Sequence, residues 1–221
     1  MSRVVLRFMI LPREFYERDL LTVAKALLGK VVVHETPEGT TSGRIVETEA
    51  YMGPEDKASH AYDNLRTIRT ETQFGPKGHA YIYLIYGMYY CFNVTAGKKP
   101  GKPEAILMRA LEPLTGIDLM KKRRPAAKDN ITKLTNGPGK LCTAMGLTKR
   151  QNGANVCKPP FHIDNGSNVP EKNIIQTKRI GVEYADKWKN KTWRFYIKDN
   201  VYVSIKNKTT NIRSRKQVNA Y

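Results

Sequence analysis

The spacing of apolar positions changes along this chain, and each change marks an element. After Asp19, apolar residues at Leu20, Val23, Ala24, Leu27 and Leu28 keep the spacing of an amphipathic helix, capped by Asp19 and stopped by Gly29. Residues 30–35 then read as a strand, residues 36–43 as a turn-rich connection, and residues 44–51 as the returning partner. A strand sends successive side chains to opposite faces, so Glu47, Glu49 and Tyr51 share one face while Val46, Thr48 and Ala50 share the other. The second face suits a core. Two carboxylates and a phenol side by side on the first need another reason. Gly53-Pro54 breaks the strand, and beyond it come the acidic pair Glu55-Asp56 and a lone His60.

Residues 62–78 are polar, with Arg66, Arg69, Gly75, Pro76 and Gly78, and read as a surface loop. Residues 79–94 hold Tyr81, Tyr83, Tyr86, Tyr89, Tyr90 and Phe92, with strand propensity on both sides of Gly87. A hairpin with Tyr86-Gly87 near its tip is the simplest arrangement, and it exposes one tyrosine there. The other rings suit a barrel or sandwich core. Residues 105–111 form a further apolar strand interrupted by Arg109, after which residues 112–116 are expected to turn into a helix running toward residues 121–124. A charge inside such a strand needs an anionic or hydrogen-bonding partner, either in a structural salt bridge or as a catalytic carboxylate or substrate group that Arg109 holds. The glycine-rich turn Asn136-Gly137-Pro138-Gly139-Lys140 opens a helix ending near Met145-Gly146, and it lacks the spacing of a nucleotide-hydrolysing phosphate loop. Residues 151–170 read as an irregular excursion, and residues 176–182, 194–197 and 202–205 as closing strands. No repeat or linker appears, so residues 1–205 are expected to form one domain, followed by a basic, polar tail over 206–221 that is expected to fray.

Charge and cysteine usage narrow the function. Lys plus Arg outnumber Asp plus Glu by 38 to 20, a formal charge of +18, which favours a polyanionic partner, nucleic acid before a membrane surface. No apolar run is long enough to span a bilayer, and Arg7 interrupts the N-terminal apolar stretch before a signal core can form, so the reading is intracellular and soluble. Cys91, Cys142 and Cys157 make no CxxC pair, and the four histidines are scattered, so neither a disulfide framework nor a zinc site is expected.

Four ordered segments then carry a resemblance: Glu47-Thr48-Glu49-Ala50-Tyr51-Met52-Gly53-Pro54-Glu55-Asp56, Tyr83-Leu84-Ile85-Tyr86-Gly87-Met88, Arg109-Ala110-Leu111-Glu112-Pro113 and Gly137-Pro138-Gly139-Lys140-Leu141-Cys142. In order and spacing the chain resembles the alkyladenine (3-methyladenine) DNA glycosylase family, over nearly its whole length. The resemblance implies an α+β fold, a single mixed domain with a curved, mainly antiparallel, partly barrel-like β-sheet surrounded by helices. It implies a monofunctional glycosylase that flips damaged purines out of double-stranded DNA, acting as a monomer without metal or redox cofactor and leaving an abasic site.

Residue by residue, Glu49 matches the family's general base and Arg109 the arginine that helps hold the nucleophilic water, with a main-chain carbonyl expected near Ile180. Glu47 is the rival carboxylate, assigned to support. Tyr51, His60 and Tyr83 match the cage that holds the base, Asn93 the residue that disfavours the guanine amine, and Tyr86 the wedge that fills the gap left by the flipped nucleotide. Arg66, Arg69, Lys140 and Arg179 are expected phosphate contacts. Gln73 and Lys77 depart from the family pattern, in which methionine and proline are common at these positions. A non-enzymatic nucleic-acid binder using charge and stacking rings is the alternative, and a basic RNA-binding structural protein a more distant one; neither explains why Glu49 and Arg109 are both retained.

Overall fold

Strands β1 (Val31–Thr36) and β2 (Gly39–Tyr51) make a tight hairpin, and β2 is the spine of the molecule. The computed structural model describes residues 9–206; the N-terminal apolar stretch up to residue 8, and all but the first residue of the basic tail, lie outside the described residues. Along one edge of β2, β1 pairs with its first half and β8 (Arg194–Ile197) with Glu47, Thr48 and Glu49. The opposite edge carries β5 (Ala105–Thr115). Beyond β5 lies the hairpin of β3 (Ala80–Ile85) and β4 (Tyr89–Thr95); β6 (Phe161–Asp164) extends β1, and β7 (Ile174–Thr177) extends β8. These pairings are antiparallel throughout, and the resulting sheet curls into a half-barrel in one mixed α/β domain.

Among the described residues five short α-helices pack around it: α1 (Arg13–Tyr16), α2 (Leu20–Ala26), α3 (Glu71–Phe74), α4 (Ile117–Arg123) and α5 (Pro138–Met145). Helix α2 begins where expected, with the Asp19 carboxylate accepting from Thr22 N at 3.0 Å. Its Leu20, Val23 and Ala24, followed by Leu27, join Ile45, Ala50, Phe92, Ile106, Met108 and Phe195 in the main core. The hydroxyl of Thr48 donates to Ala24 O at 2.9 Å, so this face of β2 is held against α2.

The β2–β5 ladder slips between Ser42 and Gly43 and again at two neighbouring points further along. Ile45 pairs with Leu111 and Glu47 with Ala110, skipping Val46; Thr48 then pairs with Met108, skipping Arg109. Bulges of this kind re-aim side chains. Val46 accordingly packs with Ala110, Tyr196 and Val203 in a small cluster of its own rather than in the main core with Ala50. Arg109, freed from regular alternation, reaches both glutamates.

Several boundaries differ from expectation. Residues 112–115 continue β5 instead of turning, because Ser42 and Gly43 of β2 remain available as pairing partners. Of the strand expected at 176–182 only 176–177 is extended, as the end of β7, and residues 202–205 form no strand; the backbone N–H of Ser204 donates to Glu47 instead. The segment expected as a surface loop at 62–78 contains α3 and buries Thr70, Gln73 and Lys77.

Candidate active site

The sheet's concave side encloses a cavity of about 400 Å³ lined by Tyr51, His60, Gln73, Tyr81, Tyr83, Tyr86, Asn93, Arg109 and Ile180, among others. Glu49 and Tyr51 lie two residues apart on β2, and Tyr81 and Tyr83 two apart on β3, so the period of two turns each pair to one side. The expected sharing of a face by Glu47, Glu49 and Tyr51 holds through the hydrogen bonds they make: Tyr51 Oη donates to Glu49 Oε2 at 2.9 Å, and Arg109 bridges Glu49 and Glu47.

The two glutamates are both fully buried, and their surroundings separate their roles. Glu47 Oε1 accepts from Arg194 at 2.6 Å and from the Ser204 hydroxyl at 3.0 Å, and its Oε2 accepts from Ser204 N at 2.7 Å; Arg109 Nε adds an ion pair at 3.4 Å. Its partners tie that carboxylate to Arg194 and to the backbone and hydroxyl of Ser204 rather than to the rings of the cavity wall. Glu49 accepts from Arg109 at 3.1 Å and Tyr51 at 2.9 Å on Oε2, and from Ile180 N at 2.8 Å on Oε1. A carboxylate offers about four lone-pair sites, so Glu49 keeps room for one further donor such as a water. Ile180 thus meets Glu49 through its N–H, where the resemblance pointed to its carbonyl. Burial lowers the affinity of Arg109 for its proton, but the charges of Glu49 and Glu47 outweigh this and hold it above its ordinary value. Burial, reinforced by the Glu49 charge, pushes the Tyr51 hydroxyl well up, so Tyr51 remains a donor.

The aromatic wall stands beside this acid. The His60 and Tyr83 rings meet edge to face with centroids 4.5 Å apart, and Tyr81 and Tyr83 lie 5.3 Å apart. His60 Nδ1 bonds the Tyr81 hydroxyl at 2.8 Å, and Arg69 reaches His60 Nε2 at 3.3 Å while its guanidinium covers the Tyr83 ring at 4.9 Å. Burial, with the Arg69 charge beside it, lowers His60 from 6.5 to about 4, so the imidazole is neutral at pH 7. Asn93 is buried in the same wall, with Nδ2 donating to Tyr81 O at 3.1 Å.

At the mouth, the turn between β3 and β4 has positive φ at both Tyr86 (53°) and Gly87 (68°), with Met88 N bonded to Ile85 O at 3.2 Å. This is the requirement of a type I′ turn, whose first central position disfavours a bulky residue. Tyr86 occupies it nonetheless and stands 82% exposed, the expected tip tyrosine. Helix α5 begins beside the hairpin so closely that a side chain at Gly139 would meet Tyr89 at 2.9 Å. Lys140 on its first turn is exposed; burial and the neighbouring Arg124 and Lys133 lower its proton affinity, which marks a cationic cluster near the cavity rim.

Of the four expected phosphate contacts, Arg66, Arg69 and Lys140 are exposed, although Arg66 is held by both oxygens of Glu71 at 2.8 and 2.6 Å. Arg179 is a correction. It is 4% exposed, pairs with both oxygens of Asp56, donates to Ala50 O at 3.0 Å, and lies 4.8 Å from the Tyr51 ring and 5.1 Å from Trp193. No phosphate can reach it there. Its position follows from Asp56, a buried acid whose need for a cation the local sequence did not reveal. Tyr81, Tyr184 and Gln73 line the cavity without having been singled out as its walls. Alternation along β3 could have found Tyr81, which shares its parity with Tyr83.

Comparison with known proteins gives this geometry its class. A family model described as methylpurine-DNA glycosylase matches residues 14–201, and the chain belongs to that family, hydrolases that act on N-glycosyl bonds in DNA repair. Among similar proteins, one from Clostridium acetobutylicum is 49% identical over 203 residues, covering 89% of this chain and 98% of the relative. One from Desulfitobacterium hafniense is 46% identical over 202 residues, covering 89% and 98%, and one from Bacillus mycoides 48% over 205, covering 87% and 98%. Each carries the provisional name 3-methyladenine DNA glycosylase. Among the described residues no helix is long and apolar enough to cross a membrane.

Proposed function

We propose that this protein is a monofunctional, monomeric glycosylase that works inside the cell on double-stranded DNA, with residues 1–205 as its single catalytic domain. It flips 3-methyladenine and 7-methylguanine, together with hypoxanthine and ethenoadenine, and hydrolyses the N-glycosyl bond to leave an abasic site. The observation that carries this reading is a buried carboxylate, Glu49, with three donors in place and room for one more, beside a ring-lined cavity of about 400 Å³.

In this mechanism Glu49 accepts a proton from a water while the water oxygen bonds to the anomeric carbon. For an alkylated purine the bond to the base breaks and its electron pair leaves with the base, neutralising the positive charge that alkylation placed there; a neutral lesion such as hypoxanthine takes up a proton from solvent as it leaves. The same carboxylate stabilises the oxocarbenium-like sugar. Arg109 and the Ile180 N–H hold Glu49 in place. Tyr51, His60 and Tyr83 form a cage of electron-rich faces that favours a cationic purine by about 1–2 kcal/mol over a neutral one, and the neutral His60 adds no repulsion. Asn93 disfavours the exocyclic amine of guanine. Tyr86 fills the gap in the stack, offsetting part of the few kcal/mol that flipping costs. Arg66, Arg69 and Lys140 supply backbone attraction. Among the described residues no lysine lines the cavity, which supports hydrolysis over Schiff-base strand cleavage.

The test is to incubate the protein with methylated duplex DNA and quantify free 3-methyladenine, beside a Glu49→Gln variant. The expected result is release by the wild type and not by the variant. Binding without release in the wild type overturns the enzymatic reading.

A further inference from the structure

Resting on the glycosylase reading above, we propose that Asp56 and Arg179 are positioning residues for hydrolysis: together they fix two of the three donors that Glu49 uses. Those two are the Tyr51 hydroxyl at 2.9 Å and the Ile180 N–H at 2.8 Å. Asp56 and Arg179 are both buried, and neither is among the described residues that line the cavity, so they act through their neighbours.

Arg179 bears on both donors. It directly precedes Ile180, so anchoring its side chain anchors the peptide whose N–H meets Glu49 Oε1. Its guanidinium lies 4.8 Å from the Tyr51 ring and 5.1 Å from the Trp193 ring, and it donates to Ala50 O at 3.0 Å, one residue before Tyr51. A further bond to Trp188 O at 3.3 Å ties in the segment after Ile180. Asp56 completes the clamp from the other side. Its Oδ1 accepts from Arg179 at 2.9 Å and from Ala58 N at 3.1 Å, while Oδ2 accepts from Arg179 and from Met52 N at 3.2 Å. The carboxylate thus pins the turn that leaves Tyr51 and leads to His60. Ala58 in turn packs with Val182 and Ala185, and Tyr51 and Trp188 pack against them. A buried ion pair is poor evidence of stability for its own sake, since apolar replacements are often as stable. What this pair does, and an apolar pair cannot, is hold the backbone at Ala50, Met52, Ala58 and Trp188 in one register around Glu49.

The experiment follows single-turnover release of 3-methyladenine against pH, at saturating enzyme, for full-length wild type, Arg179→Lys and the double variant Asp56→Asn/Arg179→Met. Lysine keeps a cation beside Asp56, and so the fold, but has no planar fork to hold two carbonyls and both carboxylate oxygens at once. The double variant removes both charges together, which leaves neither of them buried alone. In each, the rate constant is expected to fall roughly 10- to 100-fold, the effect of about 1 Å of misplacement at the reacting groups. The acid limb of the profile is expected to move to higher pH, because a charged carboxylate loses an N–H donor. A merely structural role lowers the melting temperature and the fraction of active protein but leaves the rate constant and the acid limb in place. That outcome in either variant overturns the proposal, and if the double variant does not fold the Arg179→Lys profile decides alone. Wild type that binds methylated duplex and releases no base overturns the glycosylase reading instead.

Discussion

Arg109 donates to Glu49 across 3.1 Å from a position the β2–β5 ladder skips, so an irregularity in the sheet delivers the cation to the acid. The same guanidinium touches Glu47 at 3.4 Å, yet the two carboxylates are expected to respond oppositely to substitution. Glu49→Gln keeps the shape and removes the proton acceptor. Base release should fall by roughly 10²–10⁴-fold, as for the loss of a general base, with a small change in melting temperature. Glu47→Ala strips a buried carboxylate from Arg194, Ser204 and Arg109 and should cost about 3–5 kcal/mol of stability. Single-turnover kinetics and thermal denaturation on both variants check this. Equal catalytic losses at equal stability would contradict the division of roles.

The hairpin tip carries a conflict between folding and function. Tyr86 holds a φ of 53° that a bulky side chain adopts at a cost, yet its ring is 82% exposed and gains little from packing. Tyr86→Gly should leave the fold unchanged or stabilise it by up to about 1 kcal/mol. The same variant should lose the flipped state, read as a several-fold drop in 2-aminopurine fluorescence beside a lesion and in excision rate. A glycine variant that flips normally would remove Tyr86 as the wedge.

Two basic residues from one expectation should separate in a salt titration. Lys140 is exposed at the rim, so Lys140→Ala should reduce the slope of log affinity against log salt by about 1. Arg179 is buried against Asp56, so Arg179→Met should leave that slope unchanged while lowering the melting temperature, because Asp56 then lacks its cation. A slope that falls in the Arg179 variant would restore it as a phosphate contact.

Where the sequence could be read, local rules sufficed: the Asp19 cap, the tip at Tyr86-Gly87 and the alternation that sets Glu49 beside Tyr51 all depend on near neighbours. The pairing of Arg109 with Glu49 spans 60 residues and depends on a bulge, which no periodicity announces. The place of Arg179 is hidden from local sequence for a related reason. Charge alone cannot tell a buried cation from a phosphate contact when its acid, Asp56, lies 123 residues away. The strand expected at 202–205 has the right composition, but the backbone there is used by Glu47, and a hydrogen bond to a buried carboxylate replaced a ladder. Gln73 in a polar stretch looked like loop, and only the tertiary wall shows it to be buried.

His60 should make stability depend on pH in a defined window. Burial, then the Arg69 charge, lowers it from 6.5 to about 4, so between those values the unfolded chain holds a proton that the folded one refuses. Stability therefore rises with pH across the window: the His60 contribution is intact above pH 6.5, falls as pH drops toward 4, and changes no further below that. The full shift would correspond to at most about 3 kcal/mol, reduced because the half-buried ring is partly screened. Chemical denaturation at pH 7.5 and pH 5 should show a smaller acid-induced loss in His60→Gln than in wild type, since glutamine does not titrate. If both proteins lose the same stability, His60 is protonated in the folded state at pH 5. A cationic imidazole would then face the cationic purine that the cage is proposed to hold.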